Sequence, residues 1–248
     1  MSVLKNIVIA MIYLYLSITV AQITEGKVIY KVSLNNESYL EKVKKESKLN
    51  EKSKKMVIEN MSNTTPVNFF LFFKGNESIY RSEYDLDEQR DMEMEWNETS
   101  VLAGEADITY FNLKTKQLFR QNFFINKILT SVDPIVWNLS QKTKQIGEYT
   151  CYLATGILKE YKETGGRQSS PITAWYTPQI PLPFGIQNFT GLPGLTLELT
   201  HQTEEGTLYY KAVEIELKPK NKIIIKKPKG KIITQKEYIE LIKNYGRR

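Results

Sequence analysis

Short segments in which apolar and polar residues alternate constrain the fold of this chain more than any other feature. Within residues 26–34, Val28, Tyr30, Val32 and Leu34 take every second position and share one face of a strand. Comparable segments, separated by turn-forming residues, occupy positions 67–73, 78–84, 107–113, 118–124, 146–158, 172–176, 195–200 and 207–217. Successive hairpins without strand–helix–strand alternation favour antiparallel pairing. The sequence therefore predicts a mainly β (α+β) protein with a single antiparallel sheet.

Two segments have helical signals instead. Ser38 and Glu41 form a capping-box pattern before a stretch rich in Lys and Glu that extends to Met61. It predicts one exposed helix inserted after the first strand, with a disordered insert as the alternative. A second capping box, Thr234 with Glu237, predicts a C-terminal helix. Its apolar positions have helical spacing at Tyr238, Leu241, Ile242 and Tyr245.

The beginning of the chain has the pattern of a secretory signal peptide. Lys5 precedes an apolar run at residues 7–20, and a cleavage site follows before Gln22. The run is too short to span a bilayer comfortably, although an uncleaved anchor is the alternative. We therefore predict a signal peptide at residues 1–21 and a single β-rich domain at residues 22–248. After signal removal the protein is expected not to be an integral membrane protein.

Cysteine and histidine are too scarce for several classes of site. The chain has one Cys and one His, which excludes a disulfide framework, a zinc finger and a cage of His and Cys ligands. No metal site, cofactor or catalytic residue is predicted. Cys151 and His201 fall in separate predicted strands and no motif surrounds either of them. We expect structural roles for both, with a nucleophile–base pair as the alternative.

An acidic run in the first half of the chain fails the test for a calcium-binding loop. Arg90 stands where an EF-hand needs glycine, and Trp96 stands where it needs the bidentate glutamate. A solvated acidic loop is the expected structure. Its acidic residues are Asp85, Asp87, Glu88, Asp91, Glu93, Glu95 and Glu98.

A basic run lies near the C-terminus. Export argues against nucleic acid as the partner, so contact with anionic lipid or polysaccharide is one interpretation. The other is a soluble edge strand, on which lysines prevent edge-to-edge aggregation. The run consists of Lys218, Lys220, Lys222, Lys226, Lys227, Lys229 and Lys231.

The segment Thr190-Gly-Leu-Pro-Gly-Leu195 is the most distinctive motif. Glycine allows close backbone approach and proline fixes φ, so the motif predicts a stiff turn that carries two leucines. The leucines either plug the edge of the core, or the turn forms the rigid lip of an apolar pocket. The predicted ligand-binding residues are Trp175, Tyr176, Phe184, Phe189, Gly191, Leu192, Pro193, Gly194 and Leu195.

The motif and its surroundings resemble the GLPGLI family of exported Bacteroidota proteins, which is named for this motif. Thr196 stands where the family has isoleucine. Further similar segments are residues 26–30, 77–80, 144–151 and 174–178, so the resemblance extends over nearly the whole predicted domain. It implies an exported, β-rich domain of uncharacterised function. The Trp-Tyr-x-Pro order at residues 175–178 is also similar to the lipoprotein-carrier superfamily, which implies a curved or half-barrel-like sheet.

These observations predict a non-catalytic binding protein of the bacterial envelope. It would hold an apolar or lipid ligand, or a partner peptide, in a pocket near residues 175–195. The alternative is an interaction or scaffold module of an envelope protein complex, with residues 38–61 and the basic run as contact surfaces. A hydrolase of unfamiliar type is a remote alternative. The expected location is the periplasm, the outer membrane or the cell exterior.

Overall fold

The computed structural model describes residues 25–83, 96–122, 128–162 and 166–245. The predicted signal peptide at residues 1–21 lies outside the described residues, as does the acidic run except Glu98. Within these ranges the chain is mainly β, as predicted. None of the helices found there is long and apolar enough to cross a membrane.

The strands are β1 (Glu25–Asn35), β2 (Val67–Lys74), β3 (Glu77–Ser82), β4 (Asp107–Asn112), β5 (Gln117–Asn122), β6 (Ile128–Ser131), β7 (Asn138–Ile146), β8 (Tyr149–Tyr161), β9 (Arg167–Thr177), β10 (Leu195–Gln202), β11 (Thr207–Glu216) and β12 (Lys231–Thr234). The helices are α1 (Glu37–Lys45), α2 (Glu51–Ser62), α3 (Glu98–Leu102) and α4 (Gln235–Tyr245).

The twelve described strands form one sheet in the order β12-β6-β5-β4-β3-β2-β1-β11-β10-β9-β8-β7. All neighbours are antiparallel except β12 and β6, which run parallel with Lys231 beside Ile128. The prediction of a strictly antiparallel sheet is therefore wrong at this pair. The connection before β12 explains this difference. Residues 217–230 cross the sheet instead of turning back in a hairpin, and a crossing connection can bring a strand in parallel to its neighbour.

The sheet is open and strongly curved. Arg120 on β5 and Glu160 on β8 are separated by seven strands in the sheet order. Nevertheless, the Arg120 guanidinium lies 3.8 Å from the Glu160 carboxylate. Helix α4 packs against β6, β8 and β12 and so bridges the same two halves of the sheet. The sheet therefore has a concave inner face and a convex outer face.

The prediction of one helix after the first strand is wrong, because the segment forms α1 and α2 with a break between them. Asn50 causes the second start, since its side-chain oxygen accepts a hydrogen bond from the Ser53 N–H at 2.8 Å. The capping box predicted at Ser38 does not form, because α1 already begins at Glu37. Helix α3 was not expected; it begins after Asn97, whose side chain accepts from the Thr99 N–H at 3.1 Å.

The capping box predicted for the C-terminal helix is confirmed. The Thr234 N–H donates to the Glu237 carboxylate at 2.7 Å, and the Glu237 N–H donates to the Thr234 hydroxyl at 3.2 Å. The pKa of Glu237 is lowered because both main-chain and side-chain groups of Thr234 donate to its carboxylate.

The main hydrophobic core lies on the inner face of the sheet. Alternating residues of the central strands point into it, as the sequence pattern predicted. The hydroxyl of Tyr30 on β1 donates to the main-chain oxygen of Thr196 on β10 at 2.7 Å, which joins two strands across β11. Fully buried members of this core include Val28, Tyr30, Val32, Leu71, Phe73, Ile172, Ala174, Leu195, Leu197 and Tyr210.

Candidate functional site

The segment that carries the predicted pocket residues is built into the core. Trp175 and Tyr176 belong to β9, Leu195 begins β10, and residues 178–194 form the loop between these strands, hereafter the inner loop. Buried side chains of this segment include Phe184, Phe189, Leu192 and Leu195, each at most 1% exposed. Gly191 and Pro193 are exposed, whereas Gly194 is buried.

Main-chain hydrogen bonds hold the inner loop in one conformation. The Gly191 N–H donates to Pro183 at 3.0 Å, and the Leu195 N–H donates to Ile180 at 2.9 Å. The indole N–H of Trp137, which lies outside the loop, donates to the main-chain oxygen of Thr190 at 2.9 Å. These bonds pair polar backbone groups that would otherwise be buried without partners.

Aromatic contacts fix the loop against the sheet. Phe184 stacks on Phe73 with ring centroids 5.6 Å apart and meets the edge of Phe111 at 6.3 Å. A side chain on Gly194 would overlap the main-chain carbonyl of Thr177, so the close approach of loop and strand needs a glycine at this position. Of the two alternatives for the motif, this geometry corresponds to the one in which its leucines fill the edge of the core. The ligand-binding role of the segment stays a prediction.

Trp175 differs from the other predicted pocket residues because it lies on the outer face. The ammonium of Lys144 is 4.6 Å from the centroid of its ring and also pairs with Glu198. This contact covers the indole ring with a cation instead of leaving it open to a ligand.

Cys151 and His201 are placed as structural residues. Cys151 on β8 is fully buried, and burial raises the pKa of its thiol to about 11. In the strand register, His201 and Gly156 both lie opposite Ile172 on β9. His201 on β10 and Gly156 on β8 therefore lie at the same level of the sheet. Cys151 is five residues along β8 from Gly156, which corresponds to about 17 Å. The two side chains are therefore too far apart to act as a nucleophile–base pair.

His201 is buried in contact with Phe189, whose ring centroid is 5.4 Å away. Its Nε2 atom has no hydrogen-bond partner among the described residues. Burial lowers the pKa of His201 to about 4, so the imidazole is neutral at pH 7.

Most of the basic run near the C-terminus lies outside the strands, and only its last residue, Lys231, belongs to an edge strand, β12. Residues 217–230, hereafter the strap, cross the outer face in an irregular conformation before β12 begins. Lys74 anchors the strap, since its ammonium donates to the Ile223 carbonyl at 3.1 Å and pairs with Glu25 at 2.7 Å. The hydrogen bond from Lys74 lowers the pKa of Glu25. A second anchor is Lys227, which donates to Gln117 at 3.1 Å.

Between the strap and the outer face lies a cavity of about 680 Å³, hereafter the strap cavity. Its floor consists of Phe72, Ile79 and Ile108 from strands β2, β3 and β4. Its other lining residues are Lys27, Arg81, Glu216, Pro219, Lys220, Asn221, Lys222, Ile223, Ile224, Ile225 and Lys226. Its volume falls within the range of about 300–1,000 Å³ that is typical of small-molecule sites.

The strap cavity is not among the sites predicted from sequence, although β2 contains a signal for it. Phe69, Leu71 and Phe73 point into the core, while Phe70 and Phe72 point to the outer face. A strand that is apolar on both faces indicates cover on both sides. The strap supplies that cover on the outer face.

A second cavity, of about 300 Å³, lies between residues 132–138 and the end of β8. Three apolar side chains in and beside it are solvent-exposed: Val136 at 81%, with Leu139 and Ile157 both at 56%. None of the residues predicted from sequence to bind a ligand lines this cavity or the strap cavity. In the described part of the chain, no group of three His, Cys, Asp or Glu residues is placed to hold a metal ion.

Part of this region is similar to a family known from other sequences. Residues 158–198 match the profile of a family described as "Protein of unknown function (Porph_ging)". The match includes β9, the inner loop and its Gly-Leu-Pro-Gly-Leu motif. The name GLPGLI itself stays a prediction. No curated protein matches the chain.

Among solved structures, the chain is similar to PNGF-II in two crystal forms, with 12% identity over 88% of this chain and 33% of the other. The TM-scores are 0.48 for the C2 form and 0.53 for the P21 form. LprF from Mycobacterium bovis matches with 13% identity over 85% of this chain and 92% of the other, at a TM-score of 0.32. The chain thus spans about one third of PNGF-II, and the likeness to the P21 form concerns the fold alone.

Proposed function

We propose that this protein is an exported, non-catalytic binding protein of the bacterial envelope and that its ligand occupies the strap cavity. The observation that carries the proposal is the combination of an apolar floor with a polar rim in a cavity of about 680 Å³. Ligand sites typically join a mainly apolar lining to a few polar groups that orient the ligand.

The strap cavity supports this function better than the inner loop does. A ligand at the inner loop would have to displace side chains such as Phe184, Phe189 and Leu192 from the core. Each fully buried side chain of that size contributes about 1.5–3 kcal/mol through its burial. A ligand in the strap cavity would instead enter space that the core does not use.

Native mass spectrometry of the protein, purified gently from its own envelope, tests the proposal. We expect an extra mass that organic solvent extracts from the wild type. The floor variants Ile79→Trp and Ile108→Trp should lose it, because the indole ring fills the cavity. Val213→Trp is the matched control, since Val213 on β11 is exposed and does not line the cavity.

Two outcomes of this experiment would contradict the proposal. If folded Ile79→Trp and Ile108→Trp proteins both retain the extra mass, the ligand binds elsewhere and the strap cavity is not the site. If the wild type has no extra mass and binds no added amphiphile, small-ligand binding is contradicted.

A second candidate function is an interaction module for an envelope protein. The exposed side chains of Val136, Leu139 and Ile157 around the second cavity favour it, because clustered apolar surface is typical of partner contacts. A photo-crosslinking amino acid at position 136 should then capture one defined partner in the intact envelope. The same amino acid at exposed Lys211 is the control. Equal capture at both positions would contradict a specific interface.

A further inference from the structure

We infer that the strap cavity selects an amphiphile with a single acyl chain and an anionic head group. This inference rests on the proposed function, because it names the class of ligand for the same cavity. Three properties of the lining carry it: its charge, the position of its cations beside aromatic rings, and its apolar floor.

The lining is strongly cationic. One acidic side chain, Glu216, stands against five basic ones, namely Lys27, Arg81, Lys220, Lys222 and Lys226. Within the described ranges, no salt bridge engages Lys27, Lys220 or Lys226. Lys222 interacts with Glu25, which already pairs with Lys74. Three of the five cations on the rim, Lys27, Lys220 and Lys226, thus have no salt bridge among the described residues, and an anionic group would neutralise them.

Two of these cations, Lys27 and Arg81, lie beside aromatic rings of β2. The Lys27 ammonium lies 5.2 Å from the centroid of Phe70, and the Arg81 guanidinium lies 5.5 Å from that of Phe72. The two rings stack with centroids 6.1 Å apart, and β1 and β3 flank the strand that carries them. Positive charge thus lies on both sides of an apolar strip. Such a strip suits a head group bound at its border and a chain laid along it.

The floor and the cationic rim together argue against two simpler classes of ligand. A small anion such as phosphate would satisfy the cations but leave Phe72, Ile79 and Ile108 unused. A neutral lipid would bury the floor but leave the cationic rim without a counter-charge. An anionic amphiphile uses both parts. Since a hydrogen bond to a charged group contributes about 1.5–3 kcal/mol, loss of one contact should weaken binding about tenfold or more.

Isothermal titration calorimetry of the full protein, at low ionic strength and below micelle formation, tests the inference. Dodecanoate, dodecyl maltoside and dodecyltrimethylammonium share a chain and differ in charge, while acetate has the anion without the chain. We expect dodecanoate to bind about tenfold more tightly than dodecyl maltoside, with no heat from the other two. Added salt should weaken dodecanoate binding and leave maltoside binding unchanged.

Variants locate the head group. Lys27→Gln and Arg81→Gln should each weaken dodecanoate binding about tenfold while leaving dodecyl maltoside affinity unchanged. Lys211→Gln is the control, because Lys211 is exposed on β11 and does not line the cavity. Equal losses in all three variants would contradict a head-group site at Lys27 and Arg81, since they would reflect only the net charge of the protein.

The outcomes separate this inference from the proposed function. Equal affinity for dodecanoate and dodecyl maltoside would overturn anion selection and leave the strap cavity as an amphiphile site. Acetate binding as tight as dodecanoate would overturn the amphiphile and indicate a small-anion site. Binding to phosphatidylglycerol vesicles without any binding of dodecanoate would indicate a surface that contacts membranes instead. If no amphiphile binds, both proposals fail.

Discussion

The inner loop and the strap are irregular segments that cover opposite faces of the same sheet, and they are attached to it in different ways. The inner loop is embedded in the core and adds fully buried side chains, Phe184, Phe189 and Leu192 among them. The strap touches the sheet at a few anchors, with Ile223 buried and the next residue, Ile224, 75% exposed. The first segment contributes to the stability of the fold. The second leaves space beneath it, which is what a binding site requires.

The largest expected effect that tests this difference comes from removing one apolar side chain from each segment. Leu192→Ala should lower the free energy of unfolding by about 3–4 kcal/mol, because it leaves a cavity in a close-packed core. Ile224→Ala should change it by about 0.5 kcal/mol or less, since the side chain is mostly in solvent. Urea denaturation monitored by circular dichroism measures both. Similar values for the two variants would contradict the distinction between core loop and strap.

Substitutions of the two glycines in the motif test how the inner loop packs against β9. Gly194→Ala should cost about 3 kcal/mol, because the new methyl group overlaps the Thr177 backbone, which cannot move away as a side chain would. Gly191 has open space around it but a φ of +92°. Gly191→Ala should therefore cost about 1 kcal/mol, from backbone strain alone. If Gly191→Ala is the more damaging variant, the packing described for this turn is wrong.

His201 provides a pH test of the core beneath the inner loop. Its pKa is lowered to about 4 in the folded protein, whereas the unfolded chain takes up the proton near 6.5. Falling pH therefore favours the unfolded state. This contribution is complete above the unfolded pKa, and about 2 kcal/mol of it is lost between pH 7 and pH 5.

This pH effect is measurable in two independent ways. His201→Phe should remove the corresponding part of the pH dependence in urea denaturation. Since the chain has one histidine, its imidazole NMR signals in the wild type report the pKa directly. A wild-type pKa near 6.5 would show that His201 is solvated and that the inner loop does not seal this part of the core.

The strands were predictable because their sequence pattern and their burial have the same period. Leu195, Leu197 and Leu199 alternate with polar neighbours, and β10 buries all three of them. The C-terminal helix was predictable for a similar local reason, because Thr234 and Glu237 cap it through their own side chains. The parallel pair of β12 and β6 was not, since it depends on the path of the whole strap.

The two covering segments were harder to predict. The motif at residues 190–195 indicated a stiff turn, but whether its leucines face the core or a pocket depends on how the distant strands curve around it. The strap lysines gave no indication of a cavity, because a lysine on open surface and a lysine over a cavity have the same local sequence. The outward Phe70 and Phe72 carried the missing information, since they require cover on a second face.

The smallest expected effect on global stability, and the most specific test of the strap, comes from its anchor. Lys74→Met removes the hydrogen bond to the Ile223 carbonyl and the ion pair with Glu25. The strap should then be cut more rapidly by trypsin at its own lysines, while the urea midpoint changes little because the core is untouched. Lys211→Met is the matched control, with no contact to the strap cavity.

The partner of Lys74 makes the same anchor sensitive to acid. The pKa of Glu25 is lowered in the folded protein, so its contribution is present above the ordinary glutamate value of 4.5 and is lost as the pH falls through the lowered pKa. Glu25→Gln should lower the hydrogen-exchange protection factors of residues 219–226 at pH 7, as acid should do in the wild type. Exchange in the inner loop should stay slow in both cases. If both segments lose protection together, the strap is part of the cooperative core, and a cavity that opens independently beneath it is contradicted.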